Sequence, residues 1–85
     1  MNIKETLQQA LTQRQDEIDL YQINIDNFSK SIKIIDDKYG ENHFLHEEMQ
    51  QYKASLQKML SENILNREKI VILKTAIEQR LKELD

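Results

Sequence analysis

The sequence contains no cysteine, no proline and only one glycine, Gly40, and each scarcity excludes a class of structure. Without cysteine there is no disulfide framework, no thiolate nucleophile and no Cys-based zinc site. Folds rich in turns need glycine and proline at many chain reversals, so few reversals are possible here. The chain also lacks a signal-peptide-like apolar region and any apolar run of membrane-spanning length. We therefore expect a cytoplasmic protein without membrane contact.

The residues that are present favour long helices. Gln, Glu, Lys, Leu and Ile dominate an 85-residue chain, which is enough for one small domain over 1–85. With 39% hydrophobic and 32% charged residues, the chain is too apolar for a disordered tail. Its net charge of −3 and its pI near 5.4 disfavour direct binding to nucleic acid.

Heptad spacing predicts a first helix over about 3–39. Apolar residues recur at alternating steps of three and four, which is the pattern of a coiled-coil seam. These residues are Ile18, Tyr21, Ile25, Phe28, Ile32, Ile35 and Tyr39. Gly40 follows where a left-handed glycine commonly ends a helix. Asn42 is a candidate N-cap for the next helix.

A second helix is predicted over about 43–84, after a turn at 40–42. Its seam is predicted at Leu45, Met49, Tyr52, Leu56, Met59, Asn63, Asn66, Ile70, Leu73, Ile77, Arg80 and Leu84. A short turn between helices of equal length implies an antiparallel pair. In such a pair, residues at the same height have numbers with a constant sum, and the two seams match throughout at a sum of 84. The fold class predicted is all-α, an antiparallel two-helix coiled-coil hairpin. The alternative is a helix break near Ser61, which would give a three-helix bundle.

The middle of the predicted seam is polar. This layer comprises Arg14, Tyr21, Asn63 and Asn66, with Tyr21 expected to face Asn63. It is either a small buried site or a device that fixes the register, since a slipped pairing would bury an unpaired amide. We favour the second interpretation.

The second helix is apolar on more sides than one neighbour can cover. Its apolar residues outside the predicted seam are Leu60, Ile64, Leu65, Val71, Ile72 and Ala76. Clustered exposed apolar groups usually mark an interface, and a lone two-helix hairpin buries little surface. The sequence therefore predicts a homodimer in which two hairpins form a four-helix bundle. One flank could instead receive a helix of another protein.

No catalytic constellation accompanies these patterns. The serines lie on predicted helices without a matching histidine, and no glycine-rich loop could hold phosphate. His43, His46 and Glu47 share a helix face, but they read better as solvated turn residues than as a metal site. We expect no enzyme, no metal and no cofactor.

Two functions remain as expectations. The first is a non-enzymatic, self-associating helical module that acts as an adaptor or regulator through protein contacts. The alternative is a small acidic inhibitor or regulator of a nucleic-acid-processing protein, such as a phage-encoded anti-defence protein. Its acidic face would comprise Asp16, Glu17, Asp19 and Asp26.

Overall fold

The structure, a computed structural model, describes residues 2–85 and consists of two long helices. Helix α1 spans Ile3–Lys38 and helix α2 spans His46–Glu83. They pack against each other along a rod of 63 × 16 × 14 Å. The predicted all-α hairpin is confirmed. Helix α2 runs through Ser61 without interruption, so the three-helix alternative is wrong.

Helix α1 has favourable groups at both ends. The Asn2 side chain caps its first turn by accepting a hydrogen bond from the Glu5 backbone N–H. Glu5 lies near the positive end of the helix dipole and Lys38 near the negative end. The sequence in between contains neither glycine nor proline, so nothing interrupts its 36 residues.

The turn is longer than predicted, because helix α2 begins at His46 and not at His43. Two hydrogen-bonded turns follow one another. The His43 N–H donates to the Gly40 carbonyl, and the His46 N–H donates to the His43 carbonyl. The N-cap is Leu45, whose own N–H donates to Nδ1 of His43 at 3.0 Å. Asn42 is therefore not the N-cap that the sequence predicted.

Gly40 also differs from its predicted role. No described glycine has a positive φ, so Gly40 does not close α1 in the left-handed conformation. A β-carbon placed on it would meet no atom within 4 Å. The turn thus needs glycine here neither for its backbone angle nor for space.

The hairpin has a very small core. Among the described residues, only Ile25, Ile35 and Leu56 are buried. The radius of gyration is 19.0 Å, against about 12 Å for a compact domain of this length. A two-helix rod can cover only one stripe of each helix, so most apolar residues outside that stripe stay in contact with solvent.

The predicted seam agrees with the structure in α1. In α2, one of its two rows agrees and the other does not. In α1, every predicted seam residue from Ile18 to Tyr39 is half-buried or buried. In α2, one predicted row lies at the helix contact at seven-residue spacing: Met49, Leu56, Asn63, Ile70 and Ile77. We call this the shared row. The second row at the contact lies one residue later than predicted: Lys53, Leu60, Arg67, Lys74 and Leu81. We call this the hairpin row.

Long amphipathic side chains explain the error. Lys53 reaches the Asp36 carboxylate at 2.6 Å, and Lys74 donates to Oε1 of Gln15 at 2.6 Å. Arg67 donates in the same way to the side-chain oxygen of Gln22. Each side chain lays its carbon stem along the helix contact and places its charged head at the rim. A pattern that counts only apolar residue types passes over these positions.

The bridging pairs lie three to five residues from the partners that the predicted register gives, all in the same direction. Each pair joins an α2 residue to an α1 residue slightly nearer the turn than the predicted partner. That offset is expected, because side chains on both antiparallel helices lean toward their own N-termini. At the open end, Lys4 pairs with Asp85 at 2.8 Å, and not with Arg80 as the predicted register placed it.

Candidate functional site

The displaced seam leaves a row of large side chains on one edge of the hairpin. These residues were predicted to close the hairpin, and they lie at seven-residue spacing: Tyr52, Met59, Asn66 and Leu73. We call them the edge row. Tyr52 is 54% exposed, Leu73 49% and Met59 37%. Asn66 lies near the middle of α2, and the next position of the same heptad row is the exposed Arg80.

An open groove runs beside the turn-proximal end of the edge row. It is lined by Ser31, Ile34, Ile35, Tyr39, Met49 and Tyr52. Ile34 is half exposed although its neighbour Ile35 is buried. The groove therefore joins the hairpin core to an apolar surface on both helices, without a charged side chain among its lining residues.

The opposite edge of the hairpin is closed by polar bridges. Its rim is formed by Lys53 with Asp36, Arg67 with Gln22, and Lys74 with Gln15. These pairs place charged and amide groups over the contact between the helices. The two edges thus differ: one is bridged by charged side chains of α2, and the other carries none of these bridges.

The predicted interface residues on α2 divide between different environments. Leu60 belongs to the hairpin row and is half-buried. Val71 is also half-buried. Ile64, Leu65, Ile72 and Ala76 are exposed, and Ile72, at 67%, is more open than Ile64 or Leu65. Leu65 and Ile72 are seven residues apart on the side of α2 away from α1, and we call them the outer pair.

The polar layer forms with a different partner. Asn63 accepts a hydrogen bond from the Asn24 amide at 3.3 Å and donates to the Met59 carbonyl at 2.8 Å. Asn24, and not Tyr21, is therefore the cross-helix partner of Asn63. Asn66 is half-buried and lies on the edge row. The sequence feature that could have indicated Asn24 as the partner is its position one residue before the seam residue Ile25.

Arg14 lies half-buried at the contact and turns back along its own helix. Its Nη2 donates to Oε1 of Glu17 at 2.9 Å. Its Nε is buried and has no hydrogen-bond partner among the described residues. Arg14 thus makes its ion pair inside α1 and not across the hairpin.

The predicted acidic face is tied into local bonds. Gln15 donates to Asp19 at 2.9 Å and Gln22 donates to Asp26 at 3.0 Å. Glu17 accepts from Arg14, while Asp16 is exposed. The four carboxylates spread along more than two turns of α1 and do not converge on one point.

The turn carries a small aromatic cluster. Tyr39 and His43 lie edge-to-face with centroids 4.8 Å apart, and His43 stacks on Phe44 at 4.9 Å. His46 Nδ1 lies 2.8 Å from the Tyr39 carbonyl oxygen, and so holds the end of α1 to the start of α2. Within residues 2–85, no group of three or more metal-ligating side chains is close enough to hold an ion.

Neither described helix is long and apolar enough to cross a membrane. No family matches the chain, and comparisons with curated proteins and with solved structures found no significant match. The surfaces described above are therefore the basis for a functional interpretation.

Proposed function

We propose that this chain is a non-enzymatic, self-associating helical module that works through protein contacts. The observation that carries the proposal is the amount of surface that the single hairpin leaves open. Its accessible surface is 6488 Å², whereas a compact chain of 10.2 kDa exposes about 5,300 Å². The excess of about 1,200 Å² is comparable with what one partner buries in a stable dimer interface.

The composition of that surface supports the same proposal. Twelve large hydrophobic residues are exposed among the described residues, on both helices and at the turn. Where such residues cluster along one side of a helix, they usually mark a site of association. Packing two hairpins side by side covers such surfaces in a four-helix bundle.

The energetic need points in the same direction. Three buried residues contribute about 1.5–3 kcal/mol each, which is little against the entropy of ordering two helices of more than 35 residues. When a second copy binds, each chain buries more apolar surface without having to order more of its own residues. Association is thus a direct route to a stable fold.

Light scattering on a sizing column tests the proposal. We expect a mass of twice 10.2 kDa that persists from low to high salt, because apolar association is not screened. We also expect the melting temperature to rise with chain concentration, since dissociation accompanies unfolding. A stable helical monomer at all concentrations would contradict the proposal.

The acidic alternative is supported less well. Three of its four carboxylates are engaged by Gln15, Gln22 and Arg14 of the same helix. A partner that docks on this face would have to compete with those bonds. Its signature would be binding that weakens sharply as salt is raised.

A further inference from the structure

We propose that the occupant of the edge row is the edge row of a second copy, with the two α2 helices antiparallel and a two-fold axis at Asn66. This inference rests on the proposed self-association and specifies its face and direction. It starts from the pattern of α2. The shared row serves two overlapping seams, one with the hairpin row and one with the edge row.

Two seams on one helix indicate two helical neighbours. The hairpin row and the shared row contact α1, as the bridges from Lys53, Arg67 and Lys74 show. The edge row repeats the same heptad spacing beside the shared row, and α1 covers it only in part. A sustained seven-residue repeat of large side chains is the pattern that packs against a helix. The missing neighbour is therefore a helix.

The position of Asn66 decides the register of the second copy. It lies near the middle of α2, with Met59 and Leu73 seven residues away on either side. With the two-fold axis at Asn66, its amide pairs with the same amide of the partner, and Met59 packs on the partner's Leu73. If the two-fold axis lay half a heptad nearer the turn, the Asn66 amide would face the partner's Met59. It would then be left without a polar partner.

Charges beside the edge row agree with this register. Glu62 and Lys69 are both exposed and lie on either side of Asn66. In the antiparallel arrangement, Glu62 faces the partner's Lys69, and Lys69 faces the partner's Glu62. The interface gains two opposite-charge pairs, which favour one orientation over others.

The arrangement with both turns at one end fits less well. There, the edge row would lie against α1 of the partner at the same height. Met59 would meet the partner's Asn24 and Asn27, and the apolar row would face a largely polar one. The edge-side row of α1 has only two large apolar members, since it reads Gln13, Leu20, Asn27 and Ile34.

Cysteine cross-linking tests this arrangement, because the chain has no cysteine of its own. Asn66→Cys at the two-fold axis is expected to form an intermolecular disulfide rapidly under mild oxidation. Tyr52→Cys lies on the same row, but its two copies would be about 42 Å apart at 1.5 Å per residue, so it is expected not to cross-link. Leu65→Cys is the matched control next to Asn66, on the outer pair.

The outcomes separate this inference from the proposed function. A dimeric protein in which Asn66→Cys cross-links while the other two do not supports the inference. Efficient cross-linking of Tyr52→Cys would bring the turn-proximal ends of the two α2 helices together, and cross-linking of Leu65→Cys alone would show the wrong face. Either result overturns the inference and leaves self-association intact. Failure of Asn66→Cys to cross-link, although its reduced form is dimeric, overturns it as well. A monomeric wild type overturns both.

Discussion

Gly40 occupies a turn that makes no use of glycine's special freedom. Its φ is not positive, and a β-carbon would meet nothing within 4 Å. Gly40→Ala is therefore expected to raise the free energy of unfolding by about 0.4–1 kcal/mol, because alanine restricts the unfolded chain. Urea unfolding at a fixed chain concentration measures the change. A loss of stability would show that the turn needs glycine after all.

The Asn24–Asn63 pair fixes how the helices pair more than it adds to the free energy of unfolding. Its hydrogen bond replaces bonds to water, so its net contribution is small. Replacing both residues by leucine is expected to raise the free energy of unfolding by about 1 kcal/mol, through apolar burial at a half-buried site. The same variant should show a broader mass distribution, because the polar layer no longer fixes the pairing. Lower stability with a single sharp mass would contradict this account of the pair.

At the scale of the element, α2 shows what a sequence can and cannot predict. Helix type, the hairpin and the α1 seam followed from heptad spacing, and so did the shared row. Heptad spacing did not show whether the edge row or the hairpin row contacts α1, because both rows lie at heptad spacing beside the shared row. Rotation of α2 by part of a turn decides between them. That rotation depends on lysine and arginine stems packing at the contact, which residue type alone does not reveal.

The candidate site was predicted in the same partial way. The sequence indicated that α2 has more apolar surface than one neighbour can cover, and Ile64, Leu65 and Ile72 are indeed exposed. It placed the edge row inside the hairpin, however, so the apolar edge emerged only with the structure. The long turn was missed because the N-cap is Leu45, which makes no side-chain cap hydrogen bond, so no polar residue type marks the start of α2.

Two leucines of α2 test the orientation of the helix. Leu56 is 3% exposed and Leu65 is 55% exposed. Leu56→Ala is expected to lower the free energy of unfolding by about 2–4 kcal/mol through lost burial and a residual cavity. Leu65→Ala, its matched control, should stay within about 0.5 kcal/mol. Equal losses for the two would place the outer pair inside an interface and contradict the assigned face.

At the scale of the whole molecule, the rod has one closed edge and one open edge. The closed edge carries the bridges from the hairpin row, and the open edge carries Tyr52, Met59 and Leu73. In the proposed dimer, this asymmetry lets a second copy add to one side only, which limits growth to a closed pair. The outer pair would remain on the surface of the proposed four-helix bundle, where a helix of another protein could dock.

The central claim is that the open edge holds two copies together, and the most direct measurement is solution mass by light scattering. Wild type is compared with Met59→Glu/Leu73→Glu on the edge row and with Leu65→Glu/Ile72→Glu on the outer pair, with helicity followed by circular dichroism. We expect wild type and the outer-pair variant to have twice the 10.2 kDa chain mass. The edge-row variant should lose the dimer, folded or not, because four buried carboxylates cannot be desolvated together. A dimeric edge-row variant beside a monomeric outer-pair variant would contradict the claim.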